Sequence, residues 1–329
     1  MNSELPFVSV IIPCRNEEKY INKCLKNIIS QDYPKDKMEV FVVNGASEDK
    51  TKEIVESFAE RHSFIRLLEN PRKFTPFGLN IGLKEARGEV IVRMDAHAGY
   101  QKDYISKCVK HLKESGADNV GGVMKTLPSR DTLESKAIAI SLSHPFAAGG
   151  SHFRLGTKKP RWVDTVFGGC YKREIFEKIG NFNEQLIRCQ DIDLNRRLIS
   201  AGGRILLVPE IVSFYYPQPD LGKFLEHNFT DGVWTIYPLK FGIRIFSLRH
   251  IMPLMLVLAL LGSVVFNGFL SLLIWLYVLA SLYFSFQISR KEKDLGYLFF
   301  MPVVFACRHF GYGFGSLFGF IKILAKWKE

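Results

Sequence analysis

A chain of 329 residues is long enough for one large domain or two small ones. Its formal net charge is +11 at pH 7, yet no stretch interleaves a dense Lys/Arg run with aromatic residues, which excludes a module that reads DNA or RNA. The basic residues instead bracket hydrophobic runs: Lys240, Arg244 and Arg249 precede one, and Arg290, Lys291 and Lys293 follow the next. That is the arrangement of a cytoplasmic surface facing anionic lipid.

In chain order, Met1–Pro6 lacks a basic stretch followed by an apolar core. No signal peptide is therefore expected, and the globular part is expected in the cytoplasm. Phe7–Ile12 is a short apolar run stopped by Pro13, suited to a buried parallel strand. Asn16–Glu17–Glu18 opens a helical pattern with Tyr20, Ile21, Cys24, Leu25 and Ile28 on one stripe. Met38–Val43 predicts a second strand, and Asn44–Asp49 a turn capping a helix from Thr51. Phe64–Leu68 predicts a third strand, Thr75–Arg87 a helix ended by Gly88, and the run from Glu89 a fourth strand. Strand and helix alternate with short connections, so the expected fold is α/β, a doubly wound, Rossmann-like, mostly parallel sheet whose strand ends form one ligand-binding rim.

The fourth strand climbs through Val90–Ile91–Val92–Arg93–Met94 to Asp95, with His97 two residues on. An acid and an imidazole at the open end of a parallel sheet are placed to hold a metal and a phosphate. No GxGxxG follows the first strand and no GxxxxGK(S/T) is present, which argues against dinucleotide and P-loop sites. The six cysteines are scattered without a CxxC pair and read as free thiols, not a disulfide framework or zinc site. Further on, Gly116–Lys125 predicts another strand, and Ser143–Ser151 a mobile Gly-rich loop over the site.

Three segments fall at successive strand ends: Pro13–Cys14–Arg15–Asn16–Glu17, the turn from Asn44, and Asp95–Ala96–His97. In that order they resemble the opening of family-2 glycosyltransferases of the GT-A fold. Those commonly read V-S-V/I-I-I/V-P-x-Y/R-N-E, then V-V-D-D/G-G/A-S-x-D-x-T, then D-x-D/H. Trp162–Arg173, Gly180–Glu184 and Gln190–Asp191–Ile192–Asp193–Leu194–Asn195–Arg196–Arg197 resemble the family's acceptor-side segments. The Q-D form, with Phe214–Pro217 and Ser247–His250, is similar to succinoglycan-type exopolysaccharide glycosyltransferases, so the likeness spans most of the chain.

This resemblance implies a nucleotide-sugar donor, expected as a UDP-sugar, with Pro13, Arg15 and Glu17 bordering its pocket and Glu17 near the ribose. Asn44 stands where the family has a base-contacting acid; its amide can accept from a uracil N3–H or donate, which leaves the base open. Arg72 and Lys73 are placed either to contact base or phosphates or to form a solvated pair. Asp95 and His97 would hold a divalent metal, Mn²⁺ in preference to Mg²⁺ because imidazole replaces one carboxylate. Asp191 is the expected general base of a single, inverting displacement. Asp193 is expected to pair with Arg196 or Arg197.

Ile251–Phe266 and Phe269–Ile288 are apolar and separated by Asn267–Gly268. They predict a helical hairpin with both ends cytoplasmic, the second run long enough to span a bilayer and the first marginal. Leu295–Lys326 is broken by Arg308–His309 and by four glycines, and reads as an interfacial or re-entrant segment over about 296–325. The expected organisation is a cytoplasmic GT-A domain over 1–240 and a membrane region over 241–329, a multi-pass protein of the cell membrane. His227 and Trp234 do not match the Q-x-x-R-W of processive synthases, so addition of one sugar is expected. The reaction expected is hexosyl transfer to a polyprenyl-linked saccharide in exopolysaccharide assembly, with membrane lipid as a partner. Alternatives are transfer of the first sugar to a polyprenyl phosphate, or an inactive membrane scaffold.

Overall fold

The computed structural model describes residues 5–265 and 269–325. It falls into two compact units, Met1–Lys125 with Gly156–Tyr215, and Thr126–Leu155 with Tyr216–Glu329. In chain order the elements are β1 (Val8–Cys14), α1 (Ile21–Ile29), β2 (Met38–Asn44), α2 (Thr51–Arg61), β3 (Ile65–Glu69), α3 (Thr75–Glu85), β4 (Val90–Arg93), β5 (Ala98–Tyr100), α4 (Tyr104–Ser115) and β6 (Asn119–Thr126). The helices α5 (Leu133–Leu142), α6 (Pro145–Ala148) and α7 (His152–Leu155) belong to the second unit. The first unit resumes with β7 (Arg161–Val163), β8 (Cys170–Lys172), α8 (Glu174–Ile179), α9 (Gln190–Ser200) and β9 (Ile205–Tyr215). The second ends with α10 (Leu221–Ile236), α11 (Leu248–Val265), α12 (Phe269–Glu292) and α13 (Gly296–Leu324).

Among the described residues the first unit forms a nine-stranded sheet in the order β3-β2-β1-β4-β8-β6-β9-β5, with β7 paired to β9. The strands β3, β2, β1 and β4 run parallel, as the alternation of strand and helix predicts. β8 joins β4 antiparallel, and β5 and β7 join β9 antiparallel. Every residue of β2 is buried, which explains the apolar run Val40–Val43; the buried Glu39 within the strand is paired with Ser9 and Arg87.

Pro13 does not stop the first strand: it lies in register with Val43, and β1 runs on to Cys14. The pairing of β1 with β4 ends at Ile11↔Arg93, and Ile11 O accepts from Met94 N on that side. Alternation along the strand points the position of Pro13 the same way, where no ladder donor is needed. Tyr20, expected on the helical stripe, is 45% exposed and precedes the helix, whose buried stripe is Ile21, Cys24, Leu25 and Ile28. The six cysteines are free.

In the second unit, the stretch expected as a mobile loop, Ser143–Ser151, contains α6 and leads into α7. Phe146 packs against Tyr277, Phe284, Phe305 and His309 and is anchored there. Ser271–Glu292 of α12 holds an 18-residue window of mean hydropathy 1.7, of which 17% is buried, and is long and apolar enough to cross a membrane. Leu248–Ser263 is apolar and shorter. The turn Asn267–Gly268 lies outside the described residues.

The segment read as interfacial or re-entrant is one unbroken helix, α13, with Pro302 inside it. Its glycines are not interruptions but contact points. A Cβ at Gly311 would meet Leu225 Cδ1 at 2.8 Å, at Gly315 Phe229 O at 1.9 Å, and at Gly319 Val233 O at 3.0 Å. Contacts that rise together along both helices show that α10 and α13 run parallel, backbone against backbone, as small residues four apart permit. Gly313 turns instead to Pro253 O of α11, at 2.3 Å from its would-be Cβ.

Gly315→Ala is expected to push α10 off α13 and to destabilise by about 1–3 kcal/mol. Gly222→Ala, whose Cβ would meet nothing nearer than 3.7 Å, is expected to be neutral or slightly stabilising. Thermal unfolding of the two variants in one detergent checks this.

Candidate functional site

The site is built on the ends of β1, β2 and β4 and the first turn of α9. Arg93, the last residue of β4, is buried to 7% exposure. Its Nη2 donates to Asp95 Oδ1 at 2.7 Å, and its Nη1 stands 3.8 Å from Asp191 Oδ2. One guanidinium thus lies between the expected metal ligand and the expected base. Burial alone would lower the Arg93 pKa, but the charges of Asp95 and then Asp191 outweigh it and hold the group above its usual range. Asp95 is fixed through its backbone too, its N–H donating to the Tyr100 hydroxyl at 2.7 Å.

His97 and Glu17 meet at 3.0 Å, Nδ1 to Oε1. Burial disfavours charge on His97, but the Glu17 hydrogen bond and the Asp95 charge outweigh it and raise its pKa. Glu17 is held in turn, its N–H donating to Thr51 Oγ1 at 2.7 Å. Expected near a ribose, Glu17 is engaged in this structure by the imidazole.

Asp191 sits in the first turn of α9, where Ile192 N–H donates to its Oδ1 at 2.9 Å and the helix dipole favours a carboxylate. The helix is pinned below it by a buried amide network. Asn119 Nδ2 donates to Asn195 Oδ1 at 2.9 Å, and Asn195 Nδ2 donates to Thr165 Oγ1 at 3.0 Å. Asp193 accepts from Arg197 Nε and Nη2, both at 2.9 Å, so the structural acid is matched with Arg197.

The loops after β1 and β2 are stitched together. Asn16 N–H donates to Ser47 Oγ at 3.0 Å, Glu48 N–H to Asn16 Oδ1 at 2.8 Å, and Glu18 N–H to Asp49 Oδ2 at 3.1 Å. Gly45 has no room for a side chain: a Cβ would stand 2.6 Å from Lys73 O and 3.3 Å from Arg15 Cβ. Asn16, Ala46, Lys73 and Cys189, four of the five non-glycine residues with positive φ among the described residues, lie on loops flanking these strand ends and α9, where strain collects at functional sites. Asn44 is buried, with Oδ1 accepting from Ser47 N–H at 3.1 Å and Nδ2 donating to Glu69 Oε2 at 3.0 Å. Arg15 is exposed and 3.5 Å from Glu48; Arg72 is exposed with its guanidinium over the Phe77 ring.

Two sets of direct contacts thus stand at these strand ends, His97 with Glu17, and Arg93 with Asp95 and Asp191. Pro13, Arg15, Asn44 and the loop carrying Arg72 border the adjoining rim. Arg93 had no role in the sequence reading, although an arginine inside a buried strand needs a charged partner, and the acids at Asp95 and Asp191 supply it.

Among the described residues no three His, Cys, Asp or Glu side chains converge as a full metal cage. The pair Asp95 and His97 nevertheless suits a cation completed by substrate phosphates. Glu17 engages Nδ1 of His97, the contact by which carboxylates orient metal-binding histidines and leave Nε2 as the other ring nitrogen. A separate cleft of about 470 Å³, lined in part by Asn80, Lys84, Arg173 and Glu177, involves none of these residues.

The sequence profile described as "Glycosyl transferase family 2" matches residues 9–180. A dolichyl N-acetyl-alpha-D-glucosaminyl phosphate 3-beta-D-2,3-diacetamido-2,3-dideoxy-beta-D-glucuronosyltransferase of Methanococcus voltae is 28% identical over 324 residues, 96% of this chain and 98% of that protein. The succinoglycan biosynthesis protein ExoA of Rhizobium meliloti is 27% identical over 70% of this chain and 74% of its own. Among solved structures, the mannosyltransferase PcManGT of Pyrobaculum calidifontis, in complex with GDP-Man and Mn²⁺, superposes with a TM-score of 0.60 and 21% identity. The match covers 99% of this chain and 89% of that one. That likeness shows the fold to be GT-A-like.

Arg93→Met should leave Asp95 and Asp191 without their shared counter-charge. Expected are a loss of about 3–5 kcal/mol in stability and loss of activity, with Arg93→Lys intermediate. Chemical denaturation beside a transfer assay checks both.

Proposed function

Because the chain belongs to glycosyl transferase family 2 and is a glycosyltransferase, we propose that it moves one sugar, with inversion, from a nucleotide-sugar donor to a polyprenyl-linked saccharide. The observation that supports this best is the contact of Arg93 with both Asp95 and Asp191, with His97 held by Glu17 two residues along from Asp95. The lipid-linked acceptor is supported by the Methanococcus relative, whose name specifies a dolichyl-linked phosphate, and a role in exopolysaccharide assembly by the likeness to ExoA.

In the proposed reaction Asp191 accepts the proton of the acceptor hydroxyl as that oxygen bonds to the anomeric carbon. The bond from that carbon to the diphosphate oxygen breaks, and the nucleoside diphosphate leaves with the electron pair. A divalent cation held by Asp95 and His97 would supply Lewis-acid neutralisation of the leaving diphosphate, Mn²⁺ being favoured by the imidazole. Arg93 keeps the two carboxylates in place. Pro13, Arg15, Asn44 and Arg72 are proposed to border a uridine diphosphate, with the remaining lone pair of Asn44 Oδ1 available to a base N–H.

The catalytic part is proposed to lie within residues 1–240 and the membrane part within 241–329. The exposed apolar side chains Leu272, Trp275, Leu276, Leu279 and Leu282 of α12 fit a lipid-facing helix and hence a membrane protein. A multi-pass arrangement with the catalytic unit in the cytoplasm is proposed on the basic flanks at Arg244, Arg249, Arg290 and Lys291.

Asp191→Asn is expected to reduce turnover by about 10²- to 10⁴-fold with donor affinity little changed, while Asp193→Asn keeps most turnover and loses stability. Transfer rates beside calorimetric donor binding decide the matter; a fully active Asp191→Asn would remove the base from the proposal. Glu17→Gln is expected to weaken Mn²⁺ binding by about 10- to 100-fold, read by paramagnetic resonance of added Mn²⁺. EDTA should abolish transfer, and His97→Asp should shift the preference toward Mg²⁺.

A further inference from the structure

Arg308 lies near the middle of the apolar helix α13 and is half-buried. Its guanidinium donates to Asn228 Oδ1 and lies 5.8 Å from the centroid of the Tyr312 ring. No Asp or Glu among the described residues lies within ion-pair distance of it; Asp231, on the same helix as Asn228, is paired with His227 at 3.4 Å. Asn228 is fully buried, and its Nδ2 donates to Phe224 O at 2.6 Å, which fixes Oδ1 toward the arginine. An amide therefore orients the cation without neutralising it.

An uncompensated guanidinium among apolar helices is costly, and such a residue marks a functional site unless an anion meets it. Its planar fork retains free N–H donors in the geometry that phosphate oxygens accept. Resting on the lipid-linked acceptor proposed above, we infer that Arg308 is the anion contact for the phosphate joining the acceptor saccharide to its polyprenol. Asn228 serves as its positioning residue.

The test uses the full chain in phosphatidylcholine nanodiscs, with a long-chain polyprenyl phosphate as probe and polyprenol, inorganic phosphate and phosphatidylglycerol as competitors. Arg308→Gln is expected to weaken polyprenyl phosphate binding about ten- to hundredfold with nucleotide-sugar affinity unchanged. Arg308→Lys should retain part of the affinity. Asn228→Asp, which gives the arginine an internal counter-ion, should weaken binding as Arg308→Gln does, and it decides the matter if Arg308→Gln fails to fold. Native affinity in both Arg308→Gln and Asn228→Asp overturns the inference. So does equal competition by inorganic phosphate, by phosphatidylglycerol or by polyprenol, because the site would then not belong to a lipid-linked phosphate. If the native chain binds the probe through Arg308 but transfers no sugar, the enzyme reading fails and this site stands. If transfer proceeds and Arg308→Gln alters neither probe affinity nor acceptor KM, the site fails and the enzyme reading stands.

Discussion

Asp95 and Asp191 sit close together without repelling each other apart, and Arg93 between them is what allows it. Its side chain reaches from the end of β4 to Asp95 at 2.7 Å and Asp191 at 3.8 Å, in surroundings dry enough for charge to matter. The neighbouring backbone is shaped around that strand end. Gly168, at φ +69°, brings its chain so near that a Cβ would stand 2.8 Å from Arg93 O, and Gly169 O accepts from Arg93 N–H at 3.0 Å. The Gly168–Gly169 pair thus lets β8 close against the strand that carries the cation.

Most of the first unit was legible because its signals are local. Apolar runs, short connections and turn residues gave the parallel strands and the helices between them, and Asp95, His97 and Asp191 fell where strand ends and a helix start put them. What the residues did not reveal was who partners whom. Glu17 stands far from His97 in sequence, and nothing in the spacing says that an acid after the first strand turns to an imidazole after the fourth. Nor does the spacing show that Ser47 and Glu69 engage the two ends of the Asn44 amide. Pro13 reads as a strand end unless the direction its missing N–H would face is known.

The second unit shows the opposite failure. Its apolar runs announced helices correctly, but glycines and an arginine inside the last one were taken as breaks. Composition cannot separate a glycine that loosens a helix from one that lets a neighbour touch its backbone; only the spacing of Gly311, Gly315 and Gly319 at one per turn hints at a contact face. The Gly-rich stretch before residue 155 misled for a related reason, since Phe146 within it is enough to anchor the segment in a cluster of rings.

The glycine face of α13 also limits how this chain can change length. One residue inserted between Gly311 and Gly315 would turn everything after it by about 100°, carrying Gly315 and Gly319 away from Phe229 and Val233. Bulky side chains would arrive in their place. Only an insertion of about seven residues, two full turns, would bring the small face back into line. A change in length is therefore accommodated at the ends of this helix and in the connections around it, while its interior is held in count and, along the glycine face, in composition.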